Sequence, residues 1–365
     1  MREQKRRDFL KKMGLLAAAG ITGASCRAFP VRTAANTKSD IPLWKGFNLL
    51  NKFDPNYQSK FDEQDFEMMA EWGFNFVRLP LSYWTWSSED DWYHIDEKVM
   101  KEIDQAVNFA KQYDLHINLN FHRLPGYCIN PPKPATDLFE DEAPLQAAEH
   151  HWKHFAERYR GISSKLLSFN LINEAPSVSV EKYDKVARRL IRAIRNEDPN
   201  RLIFVDGKDV GSTPLMTLTD IPNIIQSGRG YFPMLISHFR ASWVDWDLVH
   251  NFPEDQLSWP LVAEGTRYDR QSIYEASVKP WDPWVAQGGK VHIGEMGCHN
   301  QTPHRVALAW LEDVFSVFKE QNWGWSLWNL KGSFGVINSG RKDVKYENFK
   351  GMKLDREMLE LLKRS

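Results

Sequence analysis

The 365-residue sequence predicts a single (β/α)8 barrel over residues 40–365. Three observations point to it. Short apolar runs alternate with longer amphipathic stretches along that whole length, which implies strand–helix units and an all-parallel sheet. No pair of runs is joined by a tight hairpin turn, and no linker or composition shift divides the stretch. Two widely separated runs, Ser168-Phe169-Asn170-Leu171-Ile172-Asn173-Glu174 and Val291-His292-Ile293-Gly294-Glu295, end in a glutamate. In a barrel such ends converge on one mouth, where active sites are built. A barrel takes about 250 residues, more with insertions, so no second domain is required.

Residues 1–26 read as an export signal and not as fold. A basic start (Arg2, Lys5, Arg6, Arg7) precedes an apolar run around Met13 to Ile21, and Arg6-Arg7-Asp8-Phe9-Leu10-Lys11 resembles a twin-arginine signal. Ala24-Ser25-Cys26 has the end of a lipoprotein processing box. Gly23, however, stands where that box carries a large aliphatic residue, which counts against a lipid anchor at Cys26. Residues 27–39 form a polar linker. No other apolar run approaches the ~18 residues of a membrane span, so the mature chain is expected to be periplasmic or secreted.

From Trp44 the elements follow in order. Trp44 to Leu50 is a first strand, and an amphipathic helix runs from about Glu63 to Trp72. Phe74 to Leu79 is the second strand, carrying Arg78 at its end; an aromatic loop and a helix from Glu97 to Tyr113 follow. Leu115 to Phe121 is the third strand, ending in His122, with a Pro-rich loop and a helix from Leu145 to Tyr159 behind it. The fourth strand leads to Glu174, where Pro176 prevents its continuation. A helix from Glu181 to Glu197, strands at Leu202–Val205 and Ile224–Ser227, and a long aromatic loop come next. A helix near Gln271 to Gln287 precedes the seventh strand and Glu295; another near His304 to Gln321 precedes the last, Trp325 to Leu330.

Composition narrows the chemistry. A formal net charge of −1 argues against a nucleic-acid partner. Fifteen tryptophans serve either as core filling or as stacking platforms for flat amphipathic ligands such as sugar rings. Beyond Cys26 only Cys128 and Cys298 remain, too few for a disulfide framework, and free thiols are expected. His150 and His154 share a helical face at metal-like spacing, but without the His-Glu-x-x-His order, and they lie away from the mouth. Gly228-Arg229-Gly230 lacks the helix start of a phosphate loop.

Two carboxylates at one mouth are what glycoside hydrolysis with retention requires: one acts as acid and then base, the other as nucleophile. Glu174 and Glu295 are the candidates. A neutral Glu174 near pH 7 needs a raised pKa, from apolar walls and the like charge of Glu295. Neither metal nor organic cofactor is implied, since two carboxylates and water suffice.

The chain resembles the family 5 glycoside hydrolases, retaining β-glycanases that include many cellulases. Asn173-Glu174 matches the family's acid/base motif, with Ala175 where Pro is usual. Gly294-Glu295-Met296-Gly297 matches its nucleophile motif, and Arg78, His122 and Trp328 match further positions. The resemblance implies that Asn173 bonds the sugar 2-hydroxyl, that Arg78 pairs with Glu295, that His122 contacts sugar hydroxyls and that Trp328 forms a stacking floor. The family's His-x-Tyr after the sixth strand becomes Arg229-Gly230-Tyr231 here. Arg229 cannot shuttle a proton, although it could support the nucleophile or grip a sugar hydroxyl. His238 offers an alternative register. The implied substrate is a β-linked glucan or a related β-glycan such as mannan, xyloglucan or β-1,3-glucan. A non-catalytic carbohydrate-binding protein on the same barrel is the rival from another class.

Overall fold

The computed structural model describes residues 42–54, 56, 58–130 and 132–365; the expected export signal and linker lie outside the described residues. Eight parallel strands close a barrel in chain order. They are β1 (Lys45–Asn48), β2 (Phe76–Ser82), β3 (His116–Arg123), β4 (Leu167–Asn170), β5 (Ile203–Asp206), β6 (Ile224–Gly230), β7 (Lys290–Met296) and β8 (Gly324–Leu327). β8 closes on β1 through Lys45↔Trp325 and its neighbours.

Side chains alternate across each strand, and this decides what fills the barrel. On β2 the odd-numbered Val77, Leu79 and Leu81 pack against the helices in the main core, while Arg78 turns inward. On β3, Ile117, Leu119 and Phe121 face the helices, whereas His116, Asn118, Asn120 and His122 engage partners inside. The floor of the barrel is aromatic: Trp44, Phe76, Phe204 and Ile225 form a separate cluster, with His116 stacked on Trp44 at 3.8 Å. Above it the interior becomes polar towards the strand C-termini. The sequence therefore builds an apolar plug beneath a polar mouth.

The helices begin where the sequence offers a cap. Asp62 caps Glu63–Glu71, Asp96 caps Glu97–Gln112 and Ser179 caps Val180–Glu197, each accepting a backbone N–H. Three departures from the expected rhythm appear. Between β5 and β6 there is no regular crossover helix, only short turns at Lys208–Gly211 and Met216–Leu218. The helix expected over Gln271 to Gln287 is broken into Arg270–Ser277, Lys279–Trp281 and Asp282–Ala286, because Pro280 and Pro283 lack the N–H that would continue it. Two small antiparallel hairpins, Leu261–Ala263 with Thr266–Tyr268 and Glu347–Phe349 with Met352–Leu354, decorate the barrel. Their turns at Glu264-Gly265 and Lys350-Gly351 are left-handed, a hairpin signature that strand–helix alternation concealed.

Eight of the fifteen tryptophans are buried, so core filling accounts for most of them. Cys128 and Cys298 are free thiols, as expected. No group of metal-ligating side chains occurs among the described residues. His150 packs edge-on against Tyr93 and His154 lies near Glu97. Among the described residues no helix is long and apolar enough to cross a membrane.

Candidate active site

Arg78 is the third residue of β2, not its last, and its guanidinium stands upright in the barrel. It donates from Nη1 to Glu295 Oε1 at 2.7 Å and to Asn48 Oδ1 at 2.9 Å. Nη2 reaches Asn173 Oδ1 at 2.8 Å and Nε reaches Asn170 Oδ1 at 3.1 Å. Arg78 is 1% exposed, so this is a desolvated ion pair in which each guanidinium nitrogen has at least one partner. Asn48 is itself fixed by donating to the carbonyls of Gly294 and Leu327, which ties β1 to β7 and β8 beneath the nucleophile candidate.

A second guanidinium stands opposite. Register slips between Gly228 and Arg229 on β6, a bulge of the kind that re-aims a side chain. Arg229 then turns inward and donates from Nε to Glu174 Oε1 at 3.1 Å. Its Nη2 reaches Asn173 Oδ1 at 2.8 Å, Glu295 Oε1 at 3.4 Å and Asp206 Oδ2. Space for it comes from Gly294, where a Cβ would sit 3.4 Å from Arg229 Nη1 and 2.4 Å from Ser227 Oγ. The flanking Gly230 answers packing too: a Cβ there would meet that of Met296 at 2.8 Å. Gly-Arg-Gly is thus a packing motif.

Glu174 and Glu295 consequently meet on one guanidinium. Glu174 follows the end of β4 with φ of +50°, the left-handed region that non-glycine residues rarely adopt. Its N–H donates to Asp206 Oδ2 at 2.7 Å, and its carbonyl accepts from the Tyr127 hydroxyl at 2.5 Å. These contacts hold the strained backbone that turns the carboxyl towards Arg229. Burial first, and the charge of Glu295 second, push the Glu174 carboxyl up to about 7, against the opposing pull of Arg229. That value suits a proton donor working near neutrality.

The raised Glu174 also has a stability consequence. Between pH 4.5, its ordinary value, and about 7, the folded chain holds this proton and the unfolded chain does not. Its contribution to stability is therefore complete below the lower value and lost as pH rises through the upper one. Glu174→Gln, which cannot ionise, should lose less melting temperature than the wild type across this window. Parallel losses in the two proteins would contradict a raised carboxyl.

The remaining expected residues assemble around this pair. Asn173 is buried and accepts from both arginines while donating from Nδ2 to His122 Nε2 at 3.2 Å. The His122 Nδ1–H then points to Asn120 Oδ1 at 3.3 Å. Burial, reinforced by Arg78, Arg123 and Arg229, pushes the His122 pKa well below its ordinary value, so it is a neutral hydrogen-bonding group. The Tyr231 hydroxyl lies 3.4 Å from Glu295 Oε2. Burial, then Glu295 and Glu174, keep its pKa raised, hence it stays a donor. His238 instead packs edge-on against the Tyr231 ring and bonds Ser237, which places Tyr231, not His238, in the expected position. Trp328 lies one residue beyond β8, partly exposed, its ring 5.6 Å from that of His122 and 5.5 Å from Phe53. All eight expected residues meet at one mouth.

Sequence reasoning missed the support beneath them. Asn120, Asn170 and Asp206 are buried and link the two arginines: Asn170 accepts from Arg78 and Asn120 and donates to Asp206 Oδ1 at 2.9 Å. Aromatic walls flank the site. On one side Arg123 lies over the rings of Phe53 and Trp84; on the other Tyr231, His238, Phe334 and His299 lead outward to Trp243, which is 55% exposed.

The sequence model of the family described as cellulase (glycosyl hydrolase family 5) matches residues 34–333. The chain belongs to glycosyl hydrolase family 5. It is accordingly a glycosidase, acting on O-glycosyl bonds. Endoglucanase C of Acetivibrio thermocellus is 26% identical over 312 residues, covering 80% of this chain and 90% of the relative. A crystal structure of a glycoside hydrolase superposes with a TM-score of 0.81 at 38% identity, over 88% of this chain and 98% of the other. Thermotoga maritima Cel5A, in a complex with cellobiose, shares the fold at a TM-score of 0.69 and 22% identity, over 88% of this chain and 96% of its own.

Proposed function

We propose that this family 5 glycosidase cleaves β-linked glucan within the chain and with retention, Glu174 serving as acid/base and Glu295 as nucleophile. The observation that carries the reading is the sharing of Arg229 by both carboxylates, with Arg78 on Glu295 alone. Two carboxyl groups within reach of one guanidinium suit direct attack by one of them; an inverting pair needs the wider gap of about 6.5–9.5 Å that admits a water.

In the first step Glu295 attacks the anomeric carbon, and the Glu174 proton passes to the departing glycosidic oxygen. A glycosyl-enzyme ester forms. Glu174, now a carboxylate, then takes a proton from water, which attacks the same carbon and releases Glu295. Arg78 and the Tyr231 hydroxyl hold the oxygens of Glu295 in place. His122 and Asn173 present neutral polar edges to sugar hydroxyls, and Trp328 offers a ring face.

The glucan assignment is supported by the similarity to endoglucanase C. The aromatic row ending at exposed Trp243 supports internal cleavage, because it extends a sugar-binding surface well past the carboxylates. The export-like residues 1–26 support action outside the cytoplasm, as a polymeric substrate demands. The test is reducing-sugar release from a panel of soluble β-glucans, β-mannan and xyloglucan, with product lengths analysed. A mixture of oligosaccharides from β-1,4-glucan is expected; release of single terminal sugars, or activity on mannan alone, would overturn the assignment. Trp243→Ala should weaken apparent affinity for the polymer roughly 2- to 10-fold, the equivalent of about 0.5–1.5 kcal/mol of ring stacking. It should leave a short aryl β-cellobioside unaffected, and equal losses on both would remove Trp243 from the binding surface.

A further inference from the structure

We propose that Asp206 is a positioning residue for the acid/base: it fixes the Glu174 backbone and neutralises Arg229, so that Glu174 can carry its proton although an arginine contacts it. The inference rests on the reading of Glu174 as proton donor. Three observations support it. Asp206 ends β5, is wholly buried, and uses both oxygens on the site. Oδ1 accepts from Asn170, while Oδ2 accepts from both the Glu174 N–H and Arg229 Nη2. The left-handed conformation of Glu174 is thus tied to the same carboxylate that holds the arginine.

The charge count shows why such a group is needed. Two guanidiniums, Arg78 and Arg229, face three carboxyl groups, Glu174, Glu295 and Asp206. The surrounding groups leave that balance alone. His122 is neutral, and the hydroxyls of Tyr127, Tyr183 and Tyr231 stay protonated. Arg123 is turned to the Phe53 carbonyl and the Cys128 sulfur, and Lys208 pairs with Asp209. With all three carboxyls ionised the buried cluster carries one excess negative charge, which a proton on Glu174 removes. Without Asp206 the two arginines would match Glu174 and Glu295 with both ionised, and the proton on Glu174 would be held by burial and Glu295 alone against Arg229. An always-charged arginine at this position therefore calls for an extra buried carboxylate. Burial and then Glu295 raise the Glu174 pKa most; Arg229 lowers it, and Asp206 adds a smaller upward push.

The test is the pH dependence of kcat/KM on carboxymethylcellulose, which reports the free enzyme's acid and base. Asp206→Asn keeps the shape and one acceptor; its basic limb should move down by about one pH unit or more. Arg229→Gln should move the limb up, and the double variant should return towards the wild type. A purely structural role would lower activity at every pH without opposite shifts, so two unmoved limbs, or shifts in the same direction, would overturn the proposal. Should Asp206→Asn fail to fold, Arg229→Gln decides alone, since a downward or absent shift contradicts the charge balance. Glu174→Ala is run beside them. If it retains full activity on the polymer, the acid/base reading itself falls; if it is inactive while the limb ignores Asp206 and Arg229, only this inference falls.

Discussion

Glu295→Ala should abolish turnover of every glycan substrate, with a loss of more than about 10⁴-fold in kcat, or ~5.5 kcal/mol of barrier. The size follows from the role and from the anchoring. A nucleophile divides one difficult displacement into two easier ones, and nothing else at the mouth can take its place. Glu174 is engaged by Arg229 alongside Glu295, and Asp206 is sealed beneath the site without exposure. Binding should survive, because Trp328, His122 and the outer aromatic wall remain. Affinity electrophoresis in glucan gels should therefore still retard the variant. The decisive reading is covalent. With a 2-deoxy-2-fluoro β-cellobioside carrying a good leaving group, the wild type should gain the mass of one fluoroglycosyl group and Glu295→Ala none. A mass gain mapped to another residue would move the nucleophile; residual turnover near wild type would end the double-displacement reading. The substitution leaves Arg78 and Arg229 facing Glu174 and Asp206, so Glu174 should ionise more readily in the variant, and the loss of the buried Arg78–Glu295 pair should lower the melting temperature beside the lost activity.

Much of this arrangement was legible in the sequence, for a physical reason. A parallel strand buried on both faces is an apolar run, and a charged or amide residue at its C-terminal end has only the barrel mouth to occupy. That logic located Glu174 and Glu295, and the resemblance added Arg78, His122, Asn173 and Trp328. Arg78 reads as a strand-end residue in the sequence yet is the third residue of β2, because hydrogen-bonding continues to Ser82 past Pro80. What escaped was the polar half of each strand. His116-Ile117-Asn118-Leu119-Asn120-Phe121-His122 alternates with period two, and the alternation itself marks Asn118 and Asn120 as inward-facing. The same signal was available at Ser168 and Asn170. Asp206 could not be found so easily. Its strand is four residues long, and its importance depends on Arg229, whose inward turn depends in turn on a bulge. Bulges add one residue to a strand and leave no composition signal, so register on β6 was invisible from the sequence alone. The hairpin turns were obscured likewise, being only two residues each amid long loops.

The substitution Glu174→Ala separates the proposed acid from the proposed nucleophile, and its expected effect depends on the substrate. On a polymer, where the leaving group is a sugar alkoxide, loss of the donor should cost about 10²- to 10⁴-fold, the usual worth of general acid–base catalysis. On 2,4-dinitrophenyl β-cellobioside the leaving phenolate needs no proton, so formation of the glycosyl-enzyme should proceed at close to the wild-type rate. Hydrolysis of that ester still needs a base. The variant should therefore release a burst of dinitrophenolate equal to the enzyme concentration and then turn over slowly. Azide, an anionic nucleophile that requires no deprotonation, should accelerate the slow phase and give a β-glycosyl azide. The pH profile gives the second reading. In the wild type the basic limb should lie near the value of about 7 that burial and Glu295 impose on Glu174; activity falls as pH rises through it because the donor is then deprotonated. In Glu174→Ala that limb should vanish for the activated substrate. A limb that persisted unchanged would assign the titration to another group, and equal losses on both substrates would show that Glu174 positions the site instead of donating the proton. The left-handed backbone at this residue makes the distinction worth drawing, since alanine at φ near +50° bears the same strain without the carboxyl that turns it to account.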